Sequence, residues 1–206
     1  MSFIRNILDR QDIDDFAYAK QQQTAKQWMQ SRIQTLNTFT IGKTTQLRQT
    51  NILAEGRQKN TFELGRMYLF RYAPITRNKL PYYDTFPLMI PYYRKGSTIF
   101  GANFHYININ MRRRLFENMV DLNYITDGTE TDEPKFNFTY RRLKGKNLFR
   151  FLPPTIHQYK LGRVRSILIE IDAREWPLAL YLPVEAFKKT KKSVVWDNSL
   201  EQIKNV

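Results

Sequence analysis

The pattern of apolar residues changes near residue 63, and this change limits the fold more than any other feature of the 206-residue sequence. Residues 37–60 are rich in Thr, Gln and Asn, whereas the later sequence contains short apolar segments separated by prolines, glycines and other turn residues. Such segments are typical of strands joined by tight links. We therefore predict two parts, an N-terminal helix and extended arm over residues 1–60 and a globular domain over residues 61–206.

The N-terminal part is predicted to contain one long helix over residues 12–36. Its apolar positions, Trp28 among them, fall on one helical stripe, but its middle is polar on nearly all sides and cannot be buried. Residues 37–60 are predicted to be an extended arm, because structureless loops of this length are unusual inside a compact domain. We expect neighbouring subunits to hold this part, with Trp28 as an interface residue.

The globular part is predicted to be built on strands. Residues 67–72 are apolar on both faces, which is typical of a central strand. Residues 81–91 contain three prolines, which predicts an edge strand or a rigid connection. Further strands are predicted over residues 98–108 and 163–171. A turn at residues 94–97 is predicted just before the first of them.

Helices are predicted between and after these strands. One begins at Asn108 or Asn110 and ends near Leu122, with its apolar residues on one stripe. Shorter helices are expected over residues 172–176, 183–189 and 194–205. The predicted fold class is α+β: a small antiparallel sheet or half-barrel flanked by short helices, with a long N-terminal helix and extended arm.

Positive charge is concentrated in one segment. The chain has a net charge of +14, and residues 135–165 contribute nine basic and no acidic residues. Six aromatic residues are interleaved with these bases, and a surface loop with four acidic residues is predicted just before them, over residues 126–134. A field of this kind attracts polyanions, whether nucleic acid or an acidic protein surface.

The predicted polyanion-binding face combines this segment with three arginines at the start of the helix that begins near Asn108. Cations are unfavourable in the first turn of a helix, so these arginines indicate an anionic partner, either phosphate or carboxylates of another chain. The alternative is a solvated face with local ion pairs such as Arg113 with Glu117. The candidate residues are Arg112, Arg113, Arg114, Lys135, Arg141, Arg142, Lys144, Lys146, Arg150, Lys160, Arg163 and Arg165.

Tyrosines are unusually dense at Tyr82, Tyr83, Tyr92 and Tyr93. Tyrosine is enriched in protein interfaces, and it also occurs where peptides or nucleotides are bound. We favour a partner interface over a ligand pocket for these four residues.

Several classes of function lack the residues they need. The absence of cysteine excludes disulfides, thiol nucleophiles and zinc ribbons, and two histidines leave few ligands for a zinc hydrolase. Asp84, His105, Glu117 and Asp121 have no recognised metal-binding spacing, and Gly42-Lys43-Thr44 lacks the upstream glycine of a phosphate loop. Apolar runs are too short for a membrane span, and the N-terminus is unlike a secretory signal. We expect no catalytic residues, no metal, no cofactor, no membrane and no small-molecule substrate.

Four sequence segments resemble a family of small virion-associated proteins of large contractile-tailed phages. They are LPYYDTFPL over residues 80–88, GANFHY over 101–106, GRVRS over 162–166 and LPVEAF over 182–187. The resemblance extends from about Gly65 to Val206. It departs from the family pattern at Asn108-Ile109-Asn110, where prolines are expected before the helix. The family is associated with DNA end protection and with head-completion or baseplate-type structural roles.

The resemblance implies virion assembly without catalysis. The first hypothesis is a structural protein at a head–tail neck, tail or baseplate junction, held by its arm and a basic aromatic surface. The second is a DNA-binding protein that protects the ends of the packaged genome, and a metal-dependent nuclease ranks last. The implied partners are other virion proteins in a multi-subunit assembly, with DNA as a further candidate. The implied location is the virion, with the host cytoplasm during assembly.

Overall fold

A computed structural model describes residues 58–121, 125–126, 135–136, 149–171, 176–180 and 184–205. Its strands are β1 Gln58–Lys59, β2 Met67–Leu69, β3 Tyr83–Asp84, β4 Leu88–Lys95, β5 Thr98–Asn103, β6 Ile125–Thr126, β7 Lys135–Phe136, β8 Ile156–Lys160, β9 Leu168–Ile171 and β10 Phe187–Lys188. Its α-helices are α1 Ile109–Asp121, α2 Trp176–Leu180 and α3 Lys192–Lys204, and short 3-10 turns occur at Phe104–Tyr106, Pro153–Thr155 and Leu161–Arg163. The predicted helix over residues 12–36, with Trp28, lies outside the described residues.

An antiparallel sheet of six strands forms the centre, in the order β1-β9-β2-β4-β5-β8. Strand β2 lies inside this sheet, and all three of its residues are fully buried, as predicted for a central strand. Two small antiparallel pairs, β10 with β3 and β6 with β7, lie beside it. The predicted α+β class, a sheet flanked by short helices, is confirmed.

Alternation along β2 places its side chains in two cores, one on each face of the sheet. Met67 and Leu69 belong to the larger core, where helix residues such as Phe116 and Trp176 cover the sheet. Tyr68 belongs to a smaller, aromatic core on the other face. This second core contains Tyr68, Phe70, Tyr72, Met89, Ile99, Tyr159 and Leu168.

Strand β4 differs from the prediction. Residues 88–91 were expected in an edge strand or a rigid connection, but β4 pairs with β2 on one side and β5 on the other. Pro91 is tolerated because the register shifts between Pro91 and Tyr93, a bulge at which a missing N–H costs little. Its carbonyl still accepts a hydrogen bond of 2.7 Å from the Gly65 N–H.

Two of the predicted helices are confirmed and one is wrong. The side chain of Asn108 accepts a hydrogen bond of 3.0 Å from the Met111 N–H, which caps α1 as predicted. Helix α3 confirms the last predicted helix. The helix predicted over residues 183–189 is wrong, because Phe187 and Lys188 pair with Asp84 and Tyr83 in a sheet. Helix α2 begins at Trp176, the residue at which a helix was predicted to end.

The last residues of the predicted arm belong to the sheet. Gln58 pairs with Ile169 and Lys59 with Leu168, so β1 forms one edge of the six strands. The backbone here is extended, as expected for the arm, but it contacts the globular domain. The described body therefore begins before residue 61.

Candidate nucleic-acid interface

Arg112 is a buried residue, with none of its surface exposed. Its guanidinium donates hydrogen bonds to the backbone carbonyls of Ile107 at 2.9 Å and Leu180 at 3.2 Å, and it pairs with Glu185. Burial alone would raise the pKa of Glu185, but Arg112 outweighs it and holds that pKa below its usual value. The prediction that Arg112 contacts an external polyanion is therefore wrong. The anionic partner of this helix start is a carboxylate of the same chain.

The next two arginines are exposed and differ from each other. Arg113 pairs with Glu117 at 3.1 Å, the local ion pair that the alternative interpretation expected. Arg114 lines a cavity of about 400 Å³ together with Arg150 and Lys204. The structure thus brings together two of the predicted residues, Arg114 and Arg150, and adds a lysine from α3.

Three other predicted residues, Lys160, Arg163 and Arg165, follow one another at the end of β8, and we call them the basic strip. The backbone of this segment is fixed to its neighbours: the Arg163 carbonyl accepts from the Ala73 N–H at 3.1 Å, and the Arg165 N–H donates to the Arg71 carbonyl at 2.8 Å. Within the described part of the chain, no carboxylate forms an ion pair with the basic strip. Its positive charge is available to an external anion.

The basic strip contributes to two cavities. Arg165 lines the first, the basic cavity of about 560 Å³, together with Lys59, Arg94 and Phe62. Among the described residues, no Asp or Glu lines it, although Lys59 lies 3.9 Å from Glu170. A wall with three basic side chains and an aromatic ring can bind a phosphate and also stack against a nucleotide base.

Lys160 lines the second cavity, the tyrosine cavity of about 640 Å³. The rings of its wall contact one another: Tyr106 and His157 are 3.7 Å apart between centroids, and Tyr72 and Tyr159 are 4.9 Å apart and nearly perpendicular. Tyr82 lies 6.2 Å from Tyr106 at a tilt of 40°. Tyr72, Tyr106 and Tyr159 are at most 9% exposed, so the open aromatic surface beside Lys160 comes mainly from the half-buried Tyr82 and Tyr83.

The rings of Tyr72, Tyr106, Tyr159 and His157 are uncharged near neutral pH. Burial raises the pKa values of Tyr72, Tyr106 and Tyr159. Burial also lowers the pKa of His157 to about 4, against the hydrogen bond to Pro154, which raises it. His157 Nε2 lies 3.2 Å from the Pro154 carbonyl, which can only accept, so Nε2 carries the proton.

A buried polar network supports this cavity. Asp84 Oδ2 accepts hydrogen bonds from His105 Nδ1 at 2.7 Å and Asn103 Nδ2 at 3.1 Å, and Oδ1 accepts from the Phe86 N–H at 2.9 Å. Burial alone would raise the pKa of Asp84, but His105 and these donors lower it overall, so the carboxylate stays ionised. Asn103 also donates to the Tyr159 hydroxyl at 3.0 Å, which links the network to the wall of the cavity.

The sequence matches the protein-family model described as Phage T4 terminal DNA protecting protein over residues 4–199. The chain belongs to this family. No curated protein and no solved structure matches the chain. Membership confirms the resemblance to phage virion-associated proteins and supports a structural or DNA-protecting role in the phage. The helices in the described residues are too short or too polar to cross a bilayer.

The tyrosines predicted at a partner interface occupy three kinds of position. Tyr82 and Tyr83 are half-buried and line the tyrosine cavity. Tyr92 packs against the larger core. Tyr93 is 51% exposed and lies 5.5 Å from the Phe100 ring.

Several of the predicted site residues lie outside the part of the chain that the structure describes. Trp28, Arg141, Arg142, Lys144 and Lys146 lie outside the described residues. Lys135 lies in β7, where its backbone pairs with that of Thr126. Glu117, which has no metal-binding spacing with Asp84 and His105, pairs with Arg113.

Sequence reasoning missed the tyrosine cavity. Tyr72 and Tyr106 belong to predicted strands and Tyr159 to the aromatic residues of segment 135–165, and their convergence with His157 depends on contacts between distant segments. One signal was present: tyrosine rather than phenylalanine stands at buried strand positions. A buried tyrosine hydroxyl needs a polar partner or an opening to solvent, so such positions mark a polar interior.

Proposed function

We propose that this chain binds the ends of the DNA packaged in the phage particle and shields them from exonucleases, without catalysing a reaction. The observation that carries this proposal is the basic strip, which no carboxylate of the described chain neutralises, in a family described as terminal DNA protecting. Phosphate groups are the abundant anions of a DNA end, and contacts with Lys and Arg dominate affinity for DNA. A metal-dependent nuclease is not favoured, because Asp84 is enclosed by its hydrogen-bond partners.

The basic strip and basic cavity form one electrostatic surface. Arg165 belongs to both, and Lys59 and Arg94 extend the positive charge across the cavity wall. Each phosphate neutralised by such a side chain releases a counterion, which steepens the dependence of affinity on salt by about 0.9 per contact on logarithmic axes. The surface therefore predicts binding that weakens strongly as salt rises.

Two triple variants with equal net charge test this proposal. One replaces Lys160, Arg163 and Arg165 with Gln; the matched control replaces three exposed basic residues outside the predicted face, Arg77, Lys188 and Lys191, with Gln. We expect the first to weaken affinity for linear duplex DNA, to flatten the salt slope by about 3, and to leave the ends open to an exonuclease. The control is expected to keep an affinity for DNA, a salt slope and a protection of the ends close to those of the unmodified protein. Equal losses in both variants would show that only net charge matters and would contradict the proposal.

We also propose that the chain is a component of the virion and contacts other virion proteins, after assembly in the host cytoplasm. Among the predicted junctions, a head–tail neck fits DNA end protection better than a tail or baseplate, because a protein at the neck can contact both DNA and structural subunits. The predicted arm before residue 58 is the candidate for those subunit contacts.

A further inference from the structure

We propose that the tyrosine cavity receives one unpaired nucleotide from the DNA terminus, with its base stacked against the half-buried ring of Tyr82. This inference rests on the proposed function and names the part of the DNA that the cavity binds. The protein would then bind the last nucleotide of the DNA strand, in addition to the phosphates near that end.

The size and rigidity of the cavity fit such a ligand. Its volume of about 640 Å³ lies within the usual range for small-molecule sites, about 300–1,000 Å³. Tyr82 at its wall is held by Phe187, whose ring is perpendicular at 6.3 Å, and by the Asn198 amide, 3.4 Å from the Tyr82 hydroxyl. A ring held in place before binding loses little conformational entropy when a base stacks on it.

The electrostatics of the cavity also fit. Burial keeps Tyr72, Tyr106, Tyr159 and His157 neutral near pH 7, so these groups do not repel a nucleotide. The Asp84 carboxylate is buried and accepts hydrogen bonds from His105, the Asn103 amide and the Phe86 N–H, so it does not face the cavity as a free charge. Lys160 lies at the cavity with its ammonium 2.7 Å from the Thr98 hydroxyl, which leaves further N–H donors for a phosphate.

The cost of unpairing a base favours a terminal nucleotide over an internal one. A base inside a duplex must be unpaired and unstacked before it can enter a pocket, and this cost is smallest at an end or a mismatch. Stacking accepts any base. Gln158 and Gln202 also line the cavity, and their amides can both donate and accept hydrogen bonds.

Three linear duplexes that differ only at the terminal base pair test the inference. The first is fully paired, the second has a terminal mismatch, and the third has a chemically cross-linked terminal pair. We expect the protein to bind the mismatched duplex tightest and the cross-linked duplex weakest. The variant Tyr82→Leu should lose roughly five- to a hundredfold in affinity for the mismatched duplex, the range for loss of one stacking ring. The matched control Tyr93→Leu changes the same residue type outside the cavity and should keep the preference.

A second variant separates loss of the cavity from loss of folding. Gln202 is exposed on α3 and lines the cavity, so Gln202→Trp should block the entrance without disturbing the core, and it should abolish the preference. Equal affinity for the three duplexes, with unchanged binding by both cavity variants, would overturn the nucleotide site and leave DNA end binding intact. Failure of the protein to prefer linear over circular DNA would overturn both proposals.

Discussion

Two buried charged residues, Arg112 and Asp84, organise the polar interior of the described body. Arg112 connects α1 to the segment that contains Glu185, and Asp84 connects β3 to the turn that contains His105. Buried charges are stable only when paired and hydrogen-bonded. Both residues meet this condition, so changing either should affect stability far more than changing an exposed charge.

Replacing Arg112 with Lys should lower the free energy of unfolding by about 3–5 kcal/mol, the usual cost of breaking a buried pair. An ammonium cannot reproduce the planar fork that reaches Glu185 and the carbonyls of Ile107, Leu180 and His105. The neighbour Arg113→Lys is the matched control. Its exposed pair with Glu117 predicts a change below about 1 kcal/mol. Urea unfolding measures both, and equal effects would contradict the burial of Arg112.

Asp84→Asn should make stability less sensitive to acid. The pKa of Asp84 is lowered from 3.8 in the folded protein, so the folded state binds fewer protons than the unfolded state. The stabilisation is complete above the unfolded pKa and is lost as pH falls through the folded pKa. Glu185 acts in the same direction. Urea unfolding between pH 7 and 2 should give a shallower acid decline for Asp84→Asn than for the exposed control Asp197→Asn. Identical profiles would show that Asp84 is not ionised in the fold.

At the scale of elements, the sequence was informative where structure is local. Helix α1 was predicted from its cap and apolar stripe, and β2 from its continuous apolar residues. The internal position of β4 and the strand β10 were not predicted, for one physical reason: both depend on pairing with segments elsewhere in the chain. The bulge at Pro91 exists against β5, and Phe187 pairs with Asp84, about one hundred residues earlier.

The close packing of β5 on β4 predicts a contrast between two glycines. A Cβ at Gly101 would overlap the side chain of Met89 and lie 3.1 Å from the Ile90 carbonyl, whereas a Cβ at Gly162 meets nothing within 4 Å. Gly101→Ala should destabilise the protein by about 1–3 kcal/mol through overpacking. Gly162→Ala should change stability by less than about 0.5 kcal/mol. Thermal unfolding compares them, and a neutral Gly101→Ala would argue against this strand pairing.

At the scale of the whole molecule, charge was easier to predict than shape. The basic residues of the strip were identified from composition, but Arg112 was included wrongly because burial depends on α1 packing near Glu185. The tyrosine cavity was not foreseen, since its wall runs from Tyr72 to Gln202. A site assembled from such distant segments leaves no spacing pattern in the sequence.

Deleting residues 1–57 should separate particle association from DNA binding. The remaining residues 58–206 retain β1 and a net charge of +11. We expect affinity for DNA ends to change less than fivefold, while incorporation into particles is lost. Sedimentation with particles measures the second effect. Normal incorporation of the shortened chain would contradict the proposed role of the arm.

Binding to linear and circular DNA of the same sequence and length tests DNA end recognition most directly. Competition at about 0.15 M salt holds the phosphate contacts constant, so only the presence of ends differs. We predict that linear DNA competes at least tenfold better than the covalently closed circle. Equal competition by the two forms would show that the protein binds DNA along its length and does not recognise its ends.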